Sequence, residues 1–172
     1  MNTSIVLTIM ADDQPGIIKT VSSTLYKFGG SWTQSSMSCL AGQFAGILLV
    51  SVPSENSTAC LQALQDLSSS GLRVMAHIGD QESQAEETRE YILDLVGNDR
   101  QGIVHEITTV LAGHNVNVQD LETVVEAASM GGAEIFRVRA ELLVPMSTDI
   151  DTLEQELEDL ANDLMVSISI NQ

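Results

Sequence analysis

The segment Asp13, Gln14, Pro15, Gly16, Ile17 returns 86 residues later as Asp99, Arg100, Gln101, Gly102, Ile103, and an apolar run precedes each copy, Ile5 to Met10 and Tyr91 to Val96. A duplicated unit fixes domain count and boundaries before any element is assigned, because each copy has to bury its own apolar face. Composition alone, 44% hydrophobic over 172 residues, allows one sizeable core or two small ones. The repeat selects two.

After each turn the apolar spacing is helical, with Ile17, Val21, Leu25 and Phe28 in the first copy and Ile103, Ile107, Val110 and Leu111 in the second. Extended segments follow, broken by Gly42 in the first copy and by Gly131 and Gly132 in the second, which is how hairpin turns are marked. They end at Val52, Pro53 and at Val144, Pro145, an offset of 92 instead of 86, so the second copy carries six more residues. A longer β-hairpin is the simplest place for them, since insertions at hairpin tips cost little. A second helix is predicted from Leu61, Leu64 and Leu67, and from Ile150, Leu153, Leu157, Leu160 and Leu164. Closing strands are predicted over Leu72 to Ile78 and Met165 to Ile170.

Asp80 to Arg89 is polar and acidic, as an inter-domain linker is, which sets modules at 1–79 and 90–172. The order βαββαβ, written twice, predicts two α+β domains of ferredoxin-like form, each an antiparallel sheet with both helices on one face. Strand Ile135 to Val144 alternates Phe136, Val138, Ala140 and Leu142 with Arg137, Arg139 and Glu141. One face of that sheet should therefore meet the helices while the other carries charge.

Charge disfavours one class of function. Seven basic residues against 24 acidic ones give a formal charge of −17, and such a surface repels the phosphate backbone. Direct nucleic-acid binding is disfavoured, which leaves a small ligand, a protein partner, or both. No apolar stretch is long enough to span a membrane, and Met1 leads into a strand-like run without a basic segment or cleavage site, so a cytoplasmic chain is expected. Cys39 and Cys60, far apart and outside any CxxC pattern, read as buried thiols. His77, His105 and His114 share no metal-ligand spacing, and neither a metal nor another cofactor is expected. No GxSxG, HExxH, GxGxxG or P-loop is present, so an enzyme would need a site without a sequence signature.

The turn between first strand and first helix is the most informative place in each copy. Unpaired N–H groups and the macrodipole at a helix N-terminus favour an anion, here a ligand carboxylate, and Gly16 and Gly102 let backbone approach it closely. Asp13 and Asp99 either cap their helices or receive the ligand's ammonium group. The helix Asp149 to Asp163 has seven acidic residues and no basic one, which suits either a solvated face or a docking surface. Trp32 reads as core or interface packing.

At these residues the sequence resembles the ACT domain family, through the DQPGI and DRQGI turns set inside a duplicated βαββαβ unit. More narrowly it looks like the glycine cleavage system transcriptional repressor group, over about Ser4 to Ile170. The resemblance implies a small amino acid, glycine above all, held at an interface between modules. It would be contacted by the turns, hence Asp13, Gln14, Gly16, Ile17, Asp99, Arg100, Gly102 and Ile103, and by the residue that opens the second strand. That residue is Asn117 in the second copy and Ser31 in the first. The two copies are therefore not equivalent, and Gln101 also stands where Pro15 supplies the motif proline; in both copies an Asp, Asp13 or Asp99, stands where an Asn is common in amino-acid-binding relatives.

The resemblance also implies a partner: a LysR-type activator of a glycine cleavage operon, held in a repressing complex until glycine is abundant. A homo-oligomer is compatible with such a role. The alternatives are an ACT sensor of another amino acid that controls an enzyme in trans, and a small enzyme.

Overall fold

The computed structural model describes residues 1–79, 87–127 and 134–172. The chain divides into two compact units, Met1–Ser83 and Gln84–Gln172, each with its own core.

The first unit runs β1 (Asn2–Asp12), α1 (Ile17–Lys27), β2 (Ser31–Leu40), β3 (Gln43–Pro53), α2 (Ser57–Asp66) and β4 (Arg73–Ile78). Its sheet has the order β2-β3-β1-β4, every neighbour antiparallel. Alternation along the strands sends Ile5, Leu7 and Ile9 of β1 and Leu48, Val50 and Val52 of β3 to one face, where they are buried. Ile17, Val21 and Leu25 of α1 and Cys60 and Leu64 of α2 meet them there, because helical spacing puts each set on a single stripe. Trp32 packs partly buried against the same core, and its Nε1 donates to Ser35 Oγ at 3.1 Å.

The second unit repeats the plan with β5 (Thr88–Asn98), α3 (Ile103–Gly113), β6 (Asn117–Ala127), β7 (Glu134–Pro145), α4 (Ile150–Leu164) and β8 (Val166–Asn171), in the order β6-β7-β5-β8. Tyr91, Leu93 and Leu95 meet Val138, Ala140 and Leu142 on the covered face, under Ile103, Ile107, Leu111, Leu153 and Leu157. The opposite face carries the charge expected of it: Arg139 Nη1 lies 3.3 Å from Asp94 Oδ1, and Arg137 Nε lies 3.1 Å from Glu126 Oε2.

The duplication extends to backbone irregularities. The register of β2 on β3 shifts between Trp32 and Gln34, and that of β6 on β7 shifts between Val118 and Asp120, the same place one repeat later. Leu40 faces Gln43 as Glu126 faces Ile135, so the six surplus residues fall between Ala127 and Glu134. The predicted turn at Gly131 and Gly132 lies in that stretch, outside the described residues.

Two expectations need correction. Thr88 and Arg89 belong to β5 and not to a linker, while residues 80–86 lie outside the described residues. The Arg89 guanidinium stands 6.0 Å from the Tyr91 ring and donates to the Thr148 carbonyl at 3.3 Å, which fixes this end of the strand. Cys39 is exposed, because it sits at the end of edge strand β2, next to the hairpin tip; Cys60 is buried, and burial pushes its thiol pKa up. Among the described residues no helix is long and apolar enough to cross a membrane.

Candidate ligand site at the strand-to-helix turns

In both units the chain leaves its first strand and enters its first helix through a glycine in the left-handed region. Gly16 has φ 101° and ψ −4°, and Gly102 has φ 101° and ψ −9°. Each is the residue that precedes helical geometry, and among the described residues neither helix has a side-chain cap. Helix α4 is built differently: Asp149 Oδ1 accepts from the Asp151 amide at 3.2 Å, and Thr152 Oγ1 donates to Asp149 Oδ2 at 2.8 Å.

Asp13 and Asp99 therefore do not cap α1 and α3. The cap position belongs to glycine, which has no side chain, and the aspartates stand three residues before it. The leading N–H groups of both helices are left for water or a ligand.

The first turn is anchored to the tip of the β2–β3 hairpin. The Asp13 amide donates to the Gly42 carbonyl at 2.9 Å, and Gln43 Nε2 donates to Asp12 Oδ1 at 2.7 Å. The neighbouring Asp13 side chain pushes the Cys39 thiol's pKa above its ordinary value, with desolvation acting in the same direction. At the other side of the turn, the Gly16 carbonyl accepts from the Thr20 amide and from Thr20 Oγ1, both at 2.9 Å. Gln14 and Pro15 are exposed.

In the second unit the Asp99 amide donates to the Glu134 carbonyl at 2.9 Å, and the Gly102 carbonyl accepts from the Glu106 amide at 2.9 Å. Arg100 Nη2 lies 3.1 Å from Glu106 Oε1. Ile17 and Ile103 point into their cores, 4% and 1% exposed, so only their backbone faces the turn.

Ser31 and Asn117 are not brought to these turns within their own units. Ser31 pairs with Ser51, which pairs with Ser4, whereas the turn follows Asp12 at the other end of β1. At roughly 3.3 Å per residue the two ends lie about 26 Å apart. Asn117 pairs with Leu143, which pairs with Glu90, and the turn follows Asn98, giving the same separation. No small amino acid spans both groups inside one unit.

Sequence reading missed Cys39, Gln43, Thr20 and Glu106. The signal for the first two was the antiparallel order itself, which lays the hairpin tip beside the end of β1. The signal for the last two was their place one turn into the helix after the glycine. Among the histidines, His114 Nε2 lies 3.1 Å from Glu156 Oε2 and joins the end of α3 to α4, while His77 and His105 are exposed.

The sequence profile of the ACT domain matches the chain twice, over residues 3–77 and 90–171. The chain belongs to the ACT domain family. Solved structures share this tandem arrangement along almost the whole length. An unknown protein from Galdieria sulphuraria superposes with a TM-score of 0.87 at 28% identity, covering 99% of this ACT protein and 98% of the other chain. A protein provisionally described as a glycine cleavage system transcriptional repressor superposes with a TM-score of 0.67 at 19% identity, covering 99% and 97%. That second likeness shows the fold alone. A search of curated proteins found no match to this ACT protein.

Proposed function

We propose that this tandem ACT protein is a regulator that senses a small amino acid, glycine first among candidates, at its strand-to-helix turns. The observation that carries the reading is an uncapped helix N-terminus behind an open left-handed glycine, with an exposed carboxylate on the same turn. The free amides and the macrodipole favour a carboxylate, and Asp13 or Asp99 favours an ammonium group. A zwitterion carries both. Backbone of Ile17 and Ile103, with Gln14 and Arg100 alongside, completes each turn; Ser31 and Asn117 form a second group at the far end of each sheet.

Regulation acts in trans, without an active site of the protein's own, and in the cytoplasm. The fold shared with the repressor-described structure, together with a formal charge of −17, supports a protein that controls transcription without gripping DNA. The partner we propose is a LysR-type activator of a glycine cleavage operon, held in a repressing complex that glycine releases.

Pull-down of such an activator by the purified chain, with and without glycine, tests this. Association that weakens as glycine rises is expected. Absence of any association rejects the partner, and association indifferent to glycine rejects glycine as the signal.

A further inference from the structure

Paired residues run in rows across the four strands of the first sheet, and on the face turned away from its helices the three middle rows are centred on Val6, Thr8 and Met10. Arg73 is the one residue of fixed charge in those rows. Met75, Ile47 and Met10 stand 70%, 52% and 41% exposed there. The equivalent rows of the second sheet, centred 86 residues later on Ile92, Asp94 and Val96, hold Asp94, Asp120, Glu122, Arg137, Arg139 and Glu141. The same positions of one duplicated plan thus give a charged face in the second module and an apolar one in the first. Contact with water accounts for the charged face. A contiguous exposed apolar face marks an interaction surface instead.

We propose that the open face of the first sheet is where two copies of this chain meet, sheet against sheet. Charge favours a second copy over another occupant. Chains of formal charge −17 repel one another, so they can associate only where acidic side chains are missing, and the three middle rows contain none. A cationic partner would find no carboxylate there to pair with. Size agrees: at about 4.8 Å between strands and about 3.3 Å per residue the face covers roughly 500 Å², so two copies together bury about 1,000 Å², the scale at which specific interfaces begin. The relief of the face also fits a copy of itself. A groove of about 300 Å³ opens beside Val6, Gln34, Ser36, Ile47 and Leu49, while Met75 projects from the neighbouring strand β4. An unbranched methionine side chain from a second copy can fill such a groove, and sheets stacked in this way lie about 10 Å apart with their side chains interdigitated.

Sedimentation of the full chain at micromolar concentration, wild type and three variants, tests this. The wild type should run as a dimer. Ile47→Glu and Met75→Glu should each raise the dimer dissociation constant about a hundredfold or more, since each sets unpaired carboxylates into an apolar contact. Both side chains are more than half exposed, so the far-ultraviolet circular dichroism should stay that of the wild type. Val96→Glu, on the open face of the second sheet, should leave the dimer intact. Added salt should tighten the dimer, because it screens the like charges outside the contact. A wild type that is monomeric at every concentration would overturn the proposal, and would assign the face to the sister module or to a different protein. A dimer that persists in both Ile47→Glu and Met75→Glu, one that Val96→Glu disrupts equally, or one that salt dissociates would overturn it as well.

Discussion

The amide of Asp99 donates to the carbonyl of Glu134 at 2.9 Å, as the amide of Asp13 donates to Gly42 at the same distance in the first module. These bonds tie the first turn to the tip of the β2–β3 hairpin and the second to the start of β7, and not to the helix that follows. The turn is thereby held by the sheet, and among the described residues α1 and α3 have no side-chain cap.

Holding that geometry requires glycine at position 16. Its φ of 101° is a conformation in which a Cβ meets its own backbone, although no neighbour lies within 4 Å. Gly16→Ala should cost about 1–2 kcal/mol from the backbone alone. Urea denaturation should show that loss, and an unchanged midpoint would mean the turn readily adopts another form.

Gly97 is constrained by a neighbour. A Cβ there would run into Val166 Cγ1 and lie 2.7 Å from Val166 Cβ and 3.1 Å from its Cα, so β5 and β8 approach too closely for any side chain. Gly97→Ala should destabilise the second module by about 1–3 kcal/mol. The first module already carries a buried alanine, Ala11, at the equivalent place, so thermal unfolding of Gly97→Ala should show the loss, and an unchanged Tm would mean that Val166 yields freely.

Helix α4 depends on Asp149. Its carboxyl pKa is held below the ordinary carboxylate value, first by the Thr152 hydroxyl and then by backbone amides and His114. A depressed folded-state pKa gives stability that is present above about pH 4, the unfolded value, and fades as pH falls through the folded one. Asp149→Ala should lower Tm at pH 7, and the gap from wild type should shrink as the pH drops below about 4. A gap that is constant down to acid pH would argue against the carboxylate as cap.

Cys39 reports on Asp13. With the carboxylate raising its pKa, less thiolate is present at a given pH, and alkylation by iodoacetamide at pH 8 should be slow for an exposed cysteine. Asp13→Asn should speed it several-fold. Equal rates would place the carboxylate away from the thiol.

The repeat and its βαββαβ order were legible because both rest on local pattern: Ile5, Leu7 and Ile9 alternate, Ile103, Ile107 and Leu111 share a stripe, and the DQPGI and DRQGI turns mark the joins. Contacts between distant segments were harder to read. Cys39 and Gln43 reach the first turn through pairing of β3 with β1, across some thirty residues of sequence. The separation of Ser31 and Asn117 from their own turns follows from the same pairing, which a list of motif residues does not contain. The choice between capping and ligand contact was not legible, because Asp13 and Asp99 have a capping side chain but stand three residues before the cap positions, Gly16 and Gly102.

Calorimetric titration of glycine, serine, alanine and larger amino acids into the full chain, wild type and Asp13→Ala, bears most directly on amino-acid sensing at the first turn. Saturable binding that favours glycine, weakened about tenfold in Asp13→Ala as loss of a charge-assisted hydrogen bond implies, with an unchanged unfolding midpoint, is the expected result. No saturable heat with any amino acid, or an affinity indifferent to the loss of Asp13, would contradict it.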